Sequence, residues 1–164
     1  MWTIIKFDKK KLSILKEDFS QKLNGNFEIY SPKLLIQKYK KNKLVNKELN
    51  LLGDYILCFH KDFKNYKTIN NLKYCRGLKY FLEGFKTSQI DIENFVNKCK
   101  SSEKDGYLSY NFYKLNLNGK YKFTTGPFVE KIFQIINLQK NKIDILMGNL
   151  KTTIKKKEFL FNPV

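Results

Sequence analysis

Apolar residues along the chain switch between two spacings, and the switches mark out its elements. Trp2–Phe7 (WTIIKF) is a short apolar run that predicts a strand. From Lys9 to Asn24 the spacing lengthens to three and four. Leu12, Leu15, Phe19 and Leu23 then form one stripe of a helix that Asp8 can cap and Asn24-Gly25 can stop. Phe27–Tyr39 reads as extended, with Pro32 barring a helix. Lys40–Lys43 is a polar turn, and the return begins at Leu44-Val45. Leu51–Phe59 (LLGDYILCF) is the most strand-like segment, and its near-continuous apolarity predicts a central strand covered on both faces. Phe63–Leu72 is mixed. Arg76-Gly77 leads into a strand over Leu78–Leu82 that Glu83-Gly84 closes, and Ser88 with Asp91 opens a second helix with Ile92, Phe95, Val96 and Cys99 on its apolar face.

Ser101–Gly106 (SSEKDG) is short, polar and Gly-ended, as a domain boundary would be. Beyond the aromatic stretch Tyr107–Tyr113, Tyr121 and Phe123 alternate, Thr125–Phe128 makes a turn, and Ile132–Ile136 and Ile143–Met147 are apolar runs. Short strands at this spacing predict a small barrel. The expected fold is α+β: an antiparallel sheet covered by helices over residues 1–100, a linker at 101–113, and a small β-barrel at 114–164.

Charge adds a partner to this picture. Thirty-two Lys and Arg against 15 Asp and Glu give a formal charge of +17, which predicts a polyanionic partner. An AT-rich coding bias explains part of the lysine, since the chain has no alanine and a single arginine, Arg76. The same bias would raise glutamate, so the shortage of acids stands apart from it. Lys9, Lys10 and Lys11 crowd the first turn of the first helix, where cations oppose the helix dipole. A bound partner or plain solvation would each account for that.

Candidate chemistry is sparse. Cys58, Cys75 and Cys99 are widely spaced, and His60 is the only histidine, so no zinc site is expected. The eight glycines form no phosphate-binding loop, His60 lacks triad partners and no paired carboxylates stand out, so neither catalysis nor a cofactor is expected. No apolar run approaches the ~20 residues of a membrane span, and the first residues lack a signal peptide's long apolar stretch. A cytoplasmic protein with no membrane contact is therefore expected.

Two segments carry a resemblance. Asn118–Ile136 (NGKYKFTTGPFVEKIFQII) resembles the KOW motif, which has a Gly-led strand, a Gly-Pro-Phe turn and a second strand. Gly126 would take a special backbone conformation, Pro127 would fix the bend and Phe128 would plug the barrel. The first domain resembles the N-terminal domain of the NusG/RfaH family of transcription elongation factors. Trp2 in the first strand, the helix after it, the arm ending at Pro32, LLGDYILCF and Arg76–Leu82 follow that family's order over nearly the whole chain. The short linker, the Arg-Gly pair and the lysine- and threonine-rich tail Leu146–Phe161 are more similar to the specialised RfaH branch than to general NusG. Two departures stand out: Leu52-Gly53-Asp54 precedes Tyr55 where the family has Phe-Pro-x, and Glu130 and Phe133 replace usual glycines.

The resemblance implies a monomeric, non-enzymatic elongation and antitermination factor. Its first domain would dock through an apolar pocket on the clamp helices of RNA polymerase's largest subunit and suppress pausing. Tyr55, Phe81 and Trp2 would line that pocket, against a competing reading of all three as plain core, and Thr68 would lie in a loop meeting the second large subunit. Lys9, Lys10, Lys11, Lys73 and Arg76 would meet the displaced non-template DNA strand, with lysines tracking phosphates and the arginine able to read or stack on a base. The C-terminal domain would recruit a small-subunit ribosomal protein, coupling transcription to translation. RfaH-like proteins can also fold that domain as an α-helical hairpin. Here Phe128, Ile132, Ile135 or Ile136, Ile143, Leu146 or Met147, Leu150 and Ile154 keep helical as well as strand spacing. The alternatives are a general NusG-type factor, or a ribosome-associated KOW protein that binds RNA without touching polymerase.

Overall fold

The structure, a computed structural model, describes residues 1–109 and 112–164. Residues 110 and 111, inside the expected linker, lie outside the described residues. The chain divides into two compact units, Met1–Pro32 with Asn50–Asn97 and Lys33–Leu49 with Lys98–Val164. Both belong to a mixed α+β fold in which the strands described below pair antiparallel.

The first unit opens with β1 (Trp2–Phe7). Asp8 is extended and accepts the Lys10 amide at 3.0 Å, which closes a 3-10 turn over Lys9–Lys11. The α-helix α1 therefore begins at Leu12, not Lys9, and runs to Lys22. This places the three lysines ahead of the α-helix proper, outside its ladder of hydrogen bonds. The expected stripe is correctly placed, with Leu15, Phe19 and Leu23 buried. After β2 (Glu28–Tyr30), the strands β3 (Lys33–Lys40) and β4 (Lys43–Asn50) belong to the second unit.

The chain returns with β5 (Tyr55–Phe59). Only this half of LLGDYILCF is a strand, because Gly53 turns left-handed at φ +60° and the Tyr55 amide closes onto the Leu52 carbonyl. Then come a 3-10 turn at Lys61–Lys64, α2 (Tyr66–Leu72), β6 (Leu78–Phe81) and α3 (Gln89–Ser102). The sheet order is β2-β5-β1-β6, so β5 is interior, as its apolarity predicted. Thr68 sits on α2 rather than in a loop: Asn65 caps the segment by accepting the Lys67 amide at 2.9 Å, and Ile69 and Leu72 bury its apolar side.

Register decides which side chains share a face. Ile5 pairs with both Ile56 and Phe81, whereas Lys6 pairs with both Tyr55 and Tyr80. The Ile5 face is buried, in one cluster with Leu15 and Phe19 of α1 and Ile69 and Leu72 of α2. The opposite face carries Ile4, Lys6, Tyr55 and Leu57.

In the second unit the segment read as a linker has regular structure. α3 continues through Ser102, and β7 (Glu103–Lys104) pairs with β8 (Tyr107–Leu108). Asp105 and Gly106, at φ +53° and +80°, make the tight two-residue turn between them. A polar, Gly-ended stretch suits such a hairpin as well as it suits a linker. The rest is β9 (Lys120–Phe123), β10 (Ile132–Leu138), β11 (Lys142–Met147), β12 (Leu150–Lys155) and β13 (Phe161–Pro163), in the order β12-β11-β10-β9-β13. Tyr121, Phe123, Phe133, Ile135, Ile143, Ile145, Ile154 and Phe161 form its core, taken from alternating positions. The residues that also keep helical spacing stand mostly in strands, with Ile132 and Leu150 exposed.

Candidate functional site

The first unit holds an apolar cavity of about 450 Å³ on the open face of its sheet. Ile4, Tyr55, Leu57 and Leu82 form its floor, Leu52 one side, and Asp91, Ile92 and Phe95 of α3 the other. The strands place these side chains by their two-residue alternation, and α3 does so by its three- and four-residue stripe. Lys6 lies over the Tyr55 and Tyr80 rings, 5.3 and 5.7 Å from their centroids. The two tyrosine hydroxyls share a hydrogen bond at 3.0 Å. That bond holds the Tyr55 phenol above its ordinary pKa, and the two phenols hold the Lys6 ammonium above its own.

Of the three aromatic candidates, only Tyr55 lines this cavity. Phe81 is on the opposite face with Ile5, packed 6.2 Å from Phe63, and lines a second cavity beside α2. Trp2 is buried against Phe59, ring centroids 5.3 Å apart, with its backbone bonded both ways by the Gln89 side chain. Both side chains are buried, and neither lines the cavity beside Tyr55. The groove residues missed in the sequence are Ile4, Leu52, Leu57 and Leu82. For Leu82 the signal was present: in Tyr80-Phe81-Leu82, alternation puts the neighbours of Phe81 on the other face.

The basic candidates do come together in part. The Asp8 N–H donates to the Gly77 carbonyl at 2.8 Å. Gly77, at φ +85°, lies so close to Lys11 that an added Cβ would be 2.8 Å from the Lys11 Cβ. The Arg76-Gly77 loop thus rests directly on the Lys9–Lys11 turn. Lys9 also reaches the exposed Asp54 carboxylate at 3.0 Å, and Lys73 lies 5.8 Å from the Tyr66 ring.

Arg76 is not a free arginine. Its Nη2 donates to Asp18 Oδ1 at 2.6 Å, its Nε to the same oxygen at 3.2 Å, and its backbone N–H to Oδ2 at 2.7 Å. These bonds hold the Asp18 carboxyl below its ordinary pKa and raise that of Arg76. The guanidinium stays 63% exposed, so its outer edge still faces solvent. Its first role is to tie this loop to α1.

In the second unit the Gly126-Pro127-Phe128 turn has the expected geometry. Gly126 is at φ +89°, with Phe159 so near that any Cβ would collide with its ring. Phe128 packs against Phe123 and Phe159, centroids 5.7 and 6.2 Å away. Among the described residues no group of His, Cys, Asp and Glu could hold a metal ion.

No protein-family model matches the chain, and no curated protein matches it. Among solved structures it is similar to NusG of Thermotoga maritima, described for its domain interaction, at 10% identity and TM-score 0.36, covering 95% of this chain and 94% of that one. It is also similar to the MjSpt4:Spt5 complex in conformation A (10% identity, TM-score 0.30) and conformation B (9%, 0.29), covering 100% of this chain and 98% of each. At such scores these likenesses carry no functional assignment.

Proposed function

We propose that this protein is a non-catalytic transcription elongation factor of NusG type that docks on RNA polymerase through the groove beside Tyr55. The observation that carries the reading is that groove itself: an open apolar trough between a sheet face and α3, with Tyr55 in its floor at the position the family resemblance assigns. A trough of this kind suits an amphipathic helix, which can bury its apolar stripe there. Lys6 beside it, over the Tyr55 ring, favours a helix with an acidic flank. The clamp helices of the polymerase's largest subunit are the occupant to which the reading commits.

The finer elements belong to the same proposal. The Lys9–Lys11 turn and the loop at Arg76, packed on each other, would face the non-template strand in the transcription bubble. Contact there would favour suppression of pausing and an RfaH-like, specialised role. The five-stranded sheet of the second unit, with the Gly-Pro-Phe turn, is the part that would recruit a small-subunit ribosomal protein.

The test is transcription in vitro with the cognate polymerase across pause sites, alongside co-purification with polymerase or with ribosomal subunits. Wild type should shorten pauses and retain polymerase, while Tyr55→Ala should lose both. Tyr55→Phe, which keeps the ring and drops only the hydroxyl bond to Tyr80, should retain them. Retention of ribosomal subunits but not polymerase would instead favour the ribosome-associated reading.

A further inference from the structure

The hairpin β3–β4 segregates its charge in a way its fold does not require. From Lys38 to Leu49 every residue is exposed. Residues 38 to 47 contain five lysines and no acid. The Gln37 side chain donates to Asn46 Oδ1 at 2.8 Å, so odd-numbered β3 residues share a face with even-numbered β4 residues. The other face of the outer half therefore carries Lys38, Lys40, Lys43 and Lys47. Lys41 and Asn42, both with positive φ, form a two-residue loop, which leaves Lys40 and Lys43 opposed where the strands meet it. Like charges directly opposite destabilise a strand pair.

The single acid in the hairpin offers no relief. Glu48 is on the Gln37 face, where Lys33 and the Tyr107 hydroxyl hold it at 2.9 and 2.6 Å. The base of the ribbon is anchored within its own unit. The Gln37 amide donates to the Thr124 carbonyl at 2.6 Å, and Gln37 Oε1 accepts the Gly126 amide at 2.8 Å. What results is a fixed stem with an exposed, acid-free lysine face at its end.

We propose that this face binds double-stranded DNA without reading its sequence. A two-stranded β-ribbon fits the major groove of the duplex. The lysines stand in two rows, one per strand, as phosphates on both sides of a groove require, and the face offers no arginine to read a base. Tyr39 is on the opposite face with Gln37, so no ring is available here for stacking, on which single-strand binders depend. An acidic protein partner fits less well, because lysine is depleted from protein interfaces and only Val45 and Leu49 would supply exposed apolar anchors. The inference does not depend on the polymerase contact proposed above.

The test uses the full-length chain and fluorescence anisotropy with a labelled duplex, each of its separated strands, and labelled poly-glutamate. In one variant Lys38, Lys40, Lys43 and Lys47 are changed together to Gln. In a control of equal charge loss, Lys120, Lys122, Lys151 and Lys155 are changed to Gln. All eight side chains are exposed, and matching melting curves establish that the folds are retained. Wild type should bind the duplex most tightly. The hairpin variant should lose about tenfold or more in affinity, and its log K against log salt slope should shrink by about 3 to 4, at about 0.9 per phosphate. The control should change by about threefold or less. Equal losses in both variants, no binding of duplex by wild type, or equal affinity for a single strand or poly-glutamate would each overturn the proposal.

Discussion

Asp18 of α1 holds Arg76 of the α2–β6 loop across 58 residues of sequence, through side chain and backbone together. The carboxylate accepts from three nitrogens of one residue, and its side chain is only 9% exposed. A planar guanidinium can satisfy such a carboxylate where a lysine ammonium cannot. The chain's one arginine thus has a structural task besides the DNA contact that the resemblance implies.

Arg76→Ala should lower the melting temperature at neutral pH by a few degrees, and Arg76→Lys should recover only part of that loss. Asp18 titrates below its ordinary 3.8 when folded. The pair's contribution is therefore complete above that value and disappears as pH falls through the lower, folded value. The gap between wild type and Arg76→Ala should close in that acid range, as followed by thermal melts at stepped pH. Asp18→Asn separates the two roles of the arginine: binding to single-stranded DNA that survives Asp18→Asn but not Arg76→Ala identifies a direct contact.

Glu130 occupies a left-handed conformation, φ +70°, at the bulge where its amide donates to the Phe123 carbonyl at 3.0 Å. A side chain there is strained by about 1–2 kcal/mol, and glycine avoids the strain at some entropic cost. Glu130→Gly should therefore stabilise the protein by about 0.5–1 kcal/mol, read as a higher urea midpoint at constant m-value. Of the two glycines that the family usually keeps and this chain lacks, this is the one whose absence leaves a mark in the backbone.

Gly126→Ala should have the opposite sign. The added Cβ would lie 2.4 Å from Phe159 Cδ1, with the backbone still at φ +89°. Overpacking of this sort costs about 1–3 kcal/mol, and the left-handed penalty of about 1–2 kcal/mol adds to it. Combining it with Phe159→Leu should relieve the collision and leave the backbone part, so chemical denaturation of the double variant should recover stability only partly.

All three cysteines are buried and none is in a disulfide, and burial pushes the Cys58 thiol up to about 12. Thiolates react and thiols do not. Iodoacetamide near pH 8 should leave Cys58 unlabelled in the folded protein and modify all three cysteines in denaturant, as counted by mass spectrometry. Native labelling of Cys58 would mean that β5 opens readily.

Local pattern was enough for much of this molecule. The stripe of α1, the apolar face of α3, an interior strand within Leu51–Phe59, a polar turn at Lys40–Lys43 and the Gly126 turn all follow from spacing and from residue types suited to turns. Such signals act over a few residues and so survive in the linear sequence. The candidate site was legible only at Tyr55 and at the basic turn that meets the Arg76 loop.

The tertiary structure decided what depends on pairing between distant segments. Register between β1, β5 and β6 sent Phe81 to the core and put Leu82 in the groove, since a shift of one residue exchanges the two faces of a strand. The ion pair of Asp18 with Arg76 has no local signature, because nothing near either residue announces the other. Hydrophobic spacing left Phe63–Leu72 mixed and the family resemblance put Thr68 in a loop, whereas the cap at Asn65 with burial of Ile69 and Leu72 made that segment a helix. By itself, then, the sequence determined most of the strands, helices and turns, though not all of their bounds. Which of their side chains would face a partner was settled only when the strands chose their neighbours.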